Sequence, residues 1–377
     1  RLGLPINILD EAIELLRREK LVEVRGASQF VKSSFNFVAT ATGKKIAGEL
    51  MEVCRYVGPA PVVLEDYKEM VENQSIQNIT VDEVVVQAAF SHIVISDHMV
   101  NRLGPAISSG APMFIYGPAG NGKTTIAETI GQVLPGTVFV PHALYVGGQI
   151  ITVFDPVNHV VVAELPDDDT TPDSIDQRWV RVQRPIVMAG GELTLRMLDL
   201  EFNSIAKIYE APLQMKANNG LFIIDDFGRQ LAEPQTLLNR WIVPLDREVD
   251  YLTLHTGMKF EIPFDQLVIF ATNISPRKLA DEAFLRRLRY KLKIDYPNAK
   301  EYENILRKVC YSNGLEFDHE SFDYLMAKYD DTNIKLTGCH PRDIVDQIID
   351  EAHYMGKPAI INKEVIDQVW EDYFVHS

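Results

Sequence analysis

Along this chain the spacing of apolar positions changes repeatedly, and each change predicts a different kind of element. At the start Ile8, Leu9, Ala12, Ile13, Leu15 and Leu16 recur at helical spacing behind Asn7, a cap residue by type, with charges on the opposite face. Leu21–Val24 and Phe35–Ala39 then alternate as two short strands, and a second helix is expected from Thr42 to about Arg55. Gly58-Pro59-Ala60-Pro61 interrupts the pattern, and the polar run from Asn73 to Asn78 reads as part of a linker over 61–79. Helical spacing returns over Val81–Phe90 and Ser96–Ser108.

Between Met113 and Ile294 the apolar signal becomes continuous. The runs MFIY, TVFV, LFII and LVIF are what strands buried on both faces require, so the expected fold class is α/β, a three-layer core over 80–297 with a parallel sheet inside. Lys123 and Asp225 stand 102 positions apart, far more than one crossover helix needs. A β-rich insertion is therefore expected over about 137–218, carried by Gln149–Phe154, His159–Leu165 and Trp179–Met188, with the Asp167–Asp169 cluster as its solvated tip. Beyond Asn298 the spacing is helical again, at Ala299–Ser312, His319–Tyr329, Pro341–Met355 and Lys363–Phe374, which predicts a separate helical domain over 298–377.

Candidate chemistry sits where the apolar runs end. Met113–Tyr116 leads straight into GPAGNGKTT, which matches G-x-x-x-x-G-K-[ST] over Gly117, Pro118, Ala119, Gly120, Asn121, Gly122, Lys123 and Thr124, with Thr125 next. Glycines at 117, 120 and 122 let the backbone curl, so that its N–H groups and a helix N-terminus face a phosphate chain. Lys123 would reach the β- and γ-phosphates, and Thr124 would give a hydroxyl to Mg²⁺. Leu221–Ile224 ends in Asp225-Asp226, of which Asp225 would hold the metal shell and Asp226 would orient or deprotonate a water. Asn273, after Leu267–Phe270, would sense the γ-phosphate or position that water. Arg286, Arg287 and Arg289 crowd a segment suited either to a solvated helix face or to a subunit edge, and Arg342 opens a helix of the last domain.

In this order and spacing the P-loop, LFIIDD, IFATN, DEAFLRR and CHPRD resemble the AAA+ superfamily over about residues 80–377. The resemblance implies an ATPase using ATP/ADP and Mg²⁺, with Walker A at Gly117–Thr124, Walker B at Asp225 and Asp226, sensor 1 at Asn273, arginine fingers at Arg286 or Arg287 and sensor 2 at Arg342. It also implies self-association into a ring or spiral, typically a hexamer, and a helical lid. Two departures stand out. Walker B usually ends Asp-Glu, whereas Asp226 is shorter by one methylene, roughly 1.5 Å, an ending similar to that of bacterial helicase loaders; and minimal members lack the long insertion. Val249–Leu254 with Lys259–Phe264 looks like the hairpin that MoxR-type ATPases carry before sensor 1, and Tyr145-Val146-Gly147 is similar to the pore triplet of Clp-type unfoldases, with a buried strand as the alternative. Residues 1–60 resemble the latter part of a winged-helix domain.

Charge narrows the partners. The chain of 377 residues carries a formal net charge of −16, which disfavours nucleic acid over most of its surface. Residues 1–60 hold nine Lys/Arg against seven Asp/Glu, yet Asp10, Glu11 and Glu14 occupy the first half of the helix that would enter a groove. The expected work is remodelling of a protein complex, with a DNA-acting motor or loader, or a slow nucleotide switch, as the other readings. Three cysteines without close pairing suit a reducing, cytoplasmic setting, and no apolar run is long enough to cross a membrane.

Overall fold

The computed structural model of the protein describes residues 2–27, 35–162 and 176–374. At its centre lies a five-stranded sheet in which every neighbouring pair is parallel. In chain order its strands are Met113–Tyr116, Ile186–Ala189, Gly220–Ile224, Gln266–Thr272 and Tyr290–Lys293, and across the sheet they run fifth, first, fourth, third, second. The central strands send alternate side chains to opposite faces, and both faces are covered. Met113, Ile115, Leu221, Ile223, Leu267 and Ile269 pack under the helices Glu83–Phe90, Asp97–Ser108 and Lys123–Val133. Phe114, Phe222, Ile224, Val268 and Phe270 meet Leu237, Leu238, Trp241 and Phe284 on the other side. Each such aromatic contributes roughly 2–3 kcal/mol by leaving water. This is the α/β layering that the continuous apolar runs call for.

The membership of the sheet differs from expectation at its edges. Thr137–Pro141, with its TVFV run, pairs antiparallel with Trp179–Gln183 and lies outside the parallel sheet. Its place is taken by Ile186–Ala189, inside the stretch assigned to the insertion, and the fifth strand, Tyr290–Lys293, was not foreseen. The cause is physical: an edge strand buries one face only. Ile186 and Met188 are exposed while Val187 and Ala189 are buried, and although IVMA is apolar throughout it lies within the stretch read as insertion, whereas YKLK carries no apolar run at all.

The insertion builds a second sheet, in the order Glu201–Asn203, Ile208–Glu210, Gln149–Thr152, Ala143–Val146, Val62–Val63. Val62 joins this sheet from the stretch taken as a linker, and the helix Leu64–Asn73 buries Tyr67 and Val71 against the same core. The polar run behind it is packed as well. Gln74 bonds both the N–H and the carbonyl of Phe139, each at 2.9 Å, and Asp265 accepts from Ser75 Oγ at 2.7 Å and from the Ile76 N–H at 3.0 Å. Residues 61–79 are therefore a docked segment, not a free linker.

The hairpin Val249–Thr253 with Lys259–Pro263 is present, and Leu252, Leu254, Phe260 and Ile262 bury its inner face in the core of the second sheet. Tyr145 and Val146 end a strand, half-exposed and buried respectively, and Gly147 turns at φ +55°; in the chain they precede the second strand of the parallel sheet. A Cβ on Gly147 would come within 2.3 Å of Met258 Sδ, so the two hairpin turns rest on each other.

At the N-terminus, helix Ile6–Arg18, the antiparallel strands Val22–Ala27 and Phe35–Ala39, and helix Ala41–Val53 follow in the expected order. Pro5 occupies the cap position of the first helix, so Asn7 lies within it, and Thr40 caps the second through the Gly43 N–H at 3.0 Å. Within 2–57, none of the residues whose side chains are described is buried. Helices Ala299–Ser312, His319–Thr332, His340–Met355 and Lys363–Tyr373 enclose their own core around Tyr302, Tyr329, Val345 and Trp370. Asp167–Asp169 falls outside the described residues.

One buried histidine beside the second sheet is expected to make stability depend on pH. His159 Nδ1 accepts from the Asp155 N–H and Nε2 donates to the Lys216 carbonyl, both at 2.9 Å, which requires the neutral ring. Burial, the largest influence, lowers its pKa; the hydrogen bond to the Lys216 carbonyl and the charge of Asp155, which pairs with Lys216 Nζ at 2.8 Å, raise it, and the Lys216 ammonium lowers it further. The unfolded chain, with a histidine pKa near the usual ~6.5, therefore binds the proton more readily. This contribution to stability is full above about pH 6.5 and is lost as pH falls from there through the folded-state pKa. The thermal midpoint should drop between about pH 6.5 and 5, and less steeply in His159→Gln; equal slopes in the two proteins would refute the assignment.

Candidate functional site

Because the five strands are parallel, their C-terminal ends share one edge of the sheet, and the chain leaves that edge at each candidate residue. Tyr116 leads into Gly117, Ile224 into Asp225 and Thr272 into Asn273. Backbone bonds fix the three exits: Gly117 N–H to the Thr272 carbonyl at 3.2 Å, Phe227 N–H to the Ala271 carbonyl at 2.8 Å, and Thr272 Oγ1 to the Phe227 carbonyl at 2.6 Å.

The loop after Tyr116 is curled by its glycines. Gly117, Gly120 and Gly122 have φ of +148°, +74° and +75°, where other residues are strained. A Cβ on Gly117 would lie 1.8 Å from the Ile294 carbonyl oxygen, and one on Gly120 2.6 Å from Cys339 Sγ. Among the described residues the N–H groups of Gly120, Asn121 and Gly122 have no acceptor. Helix Lys123–Val133 starts directly behind them and adds the positive end of its dipole. Free donors around a cradle that no side chain can fill fit a phosphate chain.

Lys123 is nearly buried, and its Nζ donates to the Pro118 carbonyl at 2.8 Å. Burial above all holds its ammonium below the usual lysine value; the carboxylates of Asp225 and Asp226 act against that, and Arg229 adds to the depression. An arriving polyanion would favour the charged form. Thr124 Oγ1 donates to Asp225 Oδ2 at 2.8 Å, so a hydroxyl and a carboxylate already converge. That pair suits Mg²⁺, a hard ion that takes few protein ligands and keeps waters and phosphate oxygens around it. Among the described residues no group of three or more His, Cys, Asp or Glu forms a metal cage.

Asp226 is exposed and takes a left-handed backbone, φ +47°, and its N–H donates to Asp225 Oδ1 at 2.9 Å. Asn273 Nδ2 donates to Asp226 Oδ1 at 3.2 Å, which brings two candidates from separate strands together. A cavity of about 790 Å³ opens over the loop and is lined by residues 119–126, Asp225, Asp226, Asn273 and Arg342, a size suited to a small ligand. Gly117 and Pro118 shape the loop from behind it. Arg286 and Arg287 do not reach this cavity: Arg287 Nε is paired with Asp246 Oδ1 at 2.7 Å, while Arg286 is exposed.

The opposite wall was missed in the sequence. His92–Ser96, Lys293, Asp295, Tyr296 and Lys308 all line the cavity. Two bonds tie the last helical domain across it, from the Gly338 N–H to Asn121 Oδ1 at 2.8 Å and from Lys308 Nζ to the Ser91 carbonyl at 2.8 Å. The available signal was positional: 92–96 is the short non-helical stretch between two helices just ahead of the loop strand.

One protein family, described as "Domain of unknown function (DUF8689)", matches residues 298–372, the last helical domain. No curated protein matches the chain. Among solved structures, Thermotoga maritima RuvB, a Holliday junction branch migration motor, is similar at 14% identity and TM-score 0.39, over 80% of this chain and 73% of that one. NtrX from Brucella abortus in complex with ADP is similar at 11% identity and TM-score 0.46, over 78% of this chain and 58% of that one. Its complex with ATP is similar at 11% identity and TM-score 0.42, over 89% and 60%. At these TM-scores the reading of the site rests on the chain's own geometry.

Proposed function

We propose that this chain is an AAA+ ATPase that binds Mg·ATP in the cavity above the Gly117–Thr124 loop and hydrolyses it to ADP and phosphate. The observation that carries the reading is the meeting of Thr124 Oγ1 with Asp225 Oδ2 at 2.8 Å beside a glycine cradle of unused N–H donors. In this reading the loop N–H groups and Lys123 bind the phosphates, Thr124 and Asp225 hold the metal, and Asn273 steadies Asp226. Magnesium, when bound, supplies the charge that offsets the β- and γ-oxygens. Asp226 takes a proton from the attacking water, and Arg342 approaches the ligand from the helical domain. Arg286 belongs to the pocket of an adjoining copy in a ring or spiral, a hexamer by family habit.

The client in this reading is a protein complex. Support comes from the net charge of −16 and from the exposed Asp10, Glu11 and Glu14 on helix Ile6–Arg18, where carboxylates would meet phosphates. Turnover per subunit should rise with protein concentration as copies assemble, and partner protein should stimulate it more than duplex DNA does. Lys123→Ala should weaken ATP binding roughly tenfold to a hundredfold, the loss of one or two charge-assisted bonds. A chain that binds no ATP in equilibrium titration would overturn the proposal; stimulation by DNA alone would overturn the choice of client.

A further inference from the structure

Next to Asp225 and Asp226 lies a polar side chain that does not line the cavity and, among the described residues, makes no hydrogen bond to a charged side chain. Gln230 is 9% exposed. Its Nε2 donates toward the carbonyls of Asp225 at 3.0 Å, Gly190 at 3.2 Å and Asp226 at 3.3 Å, and its Oε1 accepts from the Gly228 N–H at 2.8 Å. An amide nitrogen carries two hydrogens, so it is shared among three acceptors.

The partners of those backbone groups decide what Gln230 controls. The Asp226 carbonyl also accepts from the Arg229 N–H at 2.9 Å, and the Gly190 carbonyl from the Leu193 N–H at 3.2 Å. Among the described residues the Asp225 carbonyl and the Gly228 N–H rely on Gln230. These two groups bracket Asp226 and the buried Phe227. Gly190 directly follows the edge strand Ile186–Ala189, whose Ala189 carbonyl accepts from the Asp225 N–H at 2.8 Å. Gln230 thus joins the tips of two neighbouring strands to the left-handed turn that aims the Asp226 carboxylate at Asn273.

We infer that Gln230 is a positioning residue for ATP hydrolysis, holding the backbone turn that aims Asp226. This rests on the proposed role of Asp226. Nucleotide affinity is expected to change little, because the phosphate cradle lies on other backbone and the Asp225 N–H stays held by the Ala189 carbonyl at 2.8 Å without Gln230. A misplacement on the order of 1 Å in such a group lowers rates by up to about a hundredfold.

The test compares wild type, Gln230→Met, Gln230→Glu, Asp226→Asn and the double variant Gln230→Met/Asp226→Asn in the full chain. Methionine keeps the packing volume and removes the hydrogen bonds; glutamate keeps the acceptor for Gly228 and loses the donor. The expected result is a kcat lowered roughly tenfold to a hundredfold in both Gln230 variants, with Mg·ATP affinity within about twofold of wild type. The second substitution should add nothing on the Asp226→Asn background, since both changes act on one group. Unchanged kcat in either folded Gln230 variant, or full additivity in the double variant, overturns the inference. A wild type without ATP hydrolysis, or an Asp226→Asn protein at full rate, instead overturns the reading of Asp226 itself.

Discussion

Arg286→Ala is expected to lower assembled ATP turnover by about a thousandfold while leaving ATP affinity at the single-chain cavity nearly unchanged. The sequence offers Arg286 and Arg287 without choosing between them. The fold separates them. Arg287 is partly covered, pairs with Asp246 on helix Ile242–Arg247 and donates to the Ala283 carbonyl at 2.9 Å, so its guanidinium is committed within the chain. Arg286 is exposed at the end of helix Glu282–Arg287 and makes no ion pair among the described residues. Phe284, buried on the same helix, fixes that helix to the sheet, which leaves Arg286 a rigid mount. A guanidinium that stabilises phosphoryl charge from outside must be available and rigidly carried, and only Arg286 of the two meets both needs. Arg287→Ala should cost only a few-fold, the effect of a partly exposed ion pair on local packing. Steady-state turnover at concentrations that saturate assembly checks both. Equal losses, or a larger loss at Arg287, would reverse the choice.

The residues proposed to bind phosphate were legible because one short segment supplies them all. Gly117–Thr124 carries its loop geometry, donors and lysine in consecutive positions, and the strands beside it are buried on both faces, so LFII and LVIF announce themselves. The edge strands did not: Ile186–Ala189 reads IVMA, as apolar as a core strand, but falls within the stretch over about 137–218 that reads as insertion, and Tyr290–Lys293 reads YKLK. Composition also misled at Gln74 and Ser75. Polar residues usually mark solvent, but here each is satisfied inside a network with Asn219 and Asp265, and burial raises the Asp265 pKa above the ordinary carboxylate value despite its hydrogen bonds. The far wall of the cavity is assembled from residues some 200 positions apart, such as Lys308 against Ser91, and no local pattern encodes that meeting. Gln230 was illegible for the same reason: its meaning lies in the carbonyls around it.

Asp226→Asn should reduce kcat by about a hundredfold to a thousandfold with Mg·ATP binding retained, the loss expected when a general base is neutralised. The substitution is close to a pure test of chemistry. Asparagine adopts the left-handed backbone found at φ +47° as readily as aspartate does, and its amide oxygen can still accept from Asn273 Nδ2, the bond seen at 3.2 Å. What disappears is the ability to take a proton. The same backbone favours aspartate at the position where the motif this segment resembles usually carries glutamate. A longer side chain in the left-handed region is disfavoured by roughly 1 kcal/mol, and its carboxylate would overshoot Asn273 by about 1.5 Å. Asp226→Glu should therefore fall below wild type instead of improving on it, and it should lose the steadying contact with Asn273. Single-turnover hydrolysis of prebound Mg·ATP separates these outcomes from slow product release. A full rate in Asp226→Asn would move the water-activating role to another group, and a faster Asp226→Glu would show that reach, not backbone geometry, limits this site.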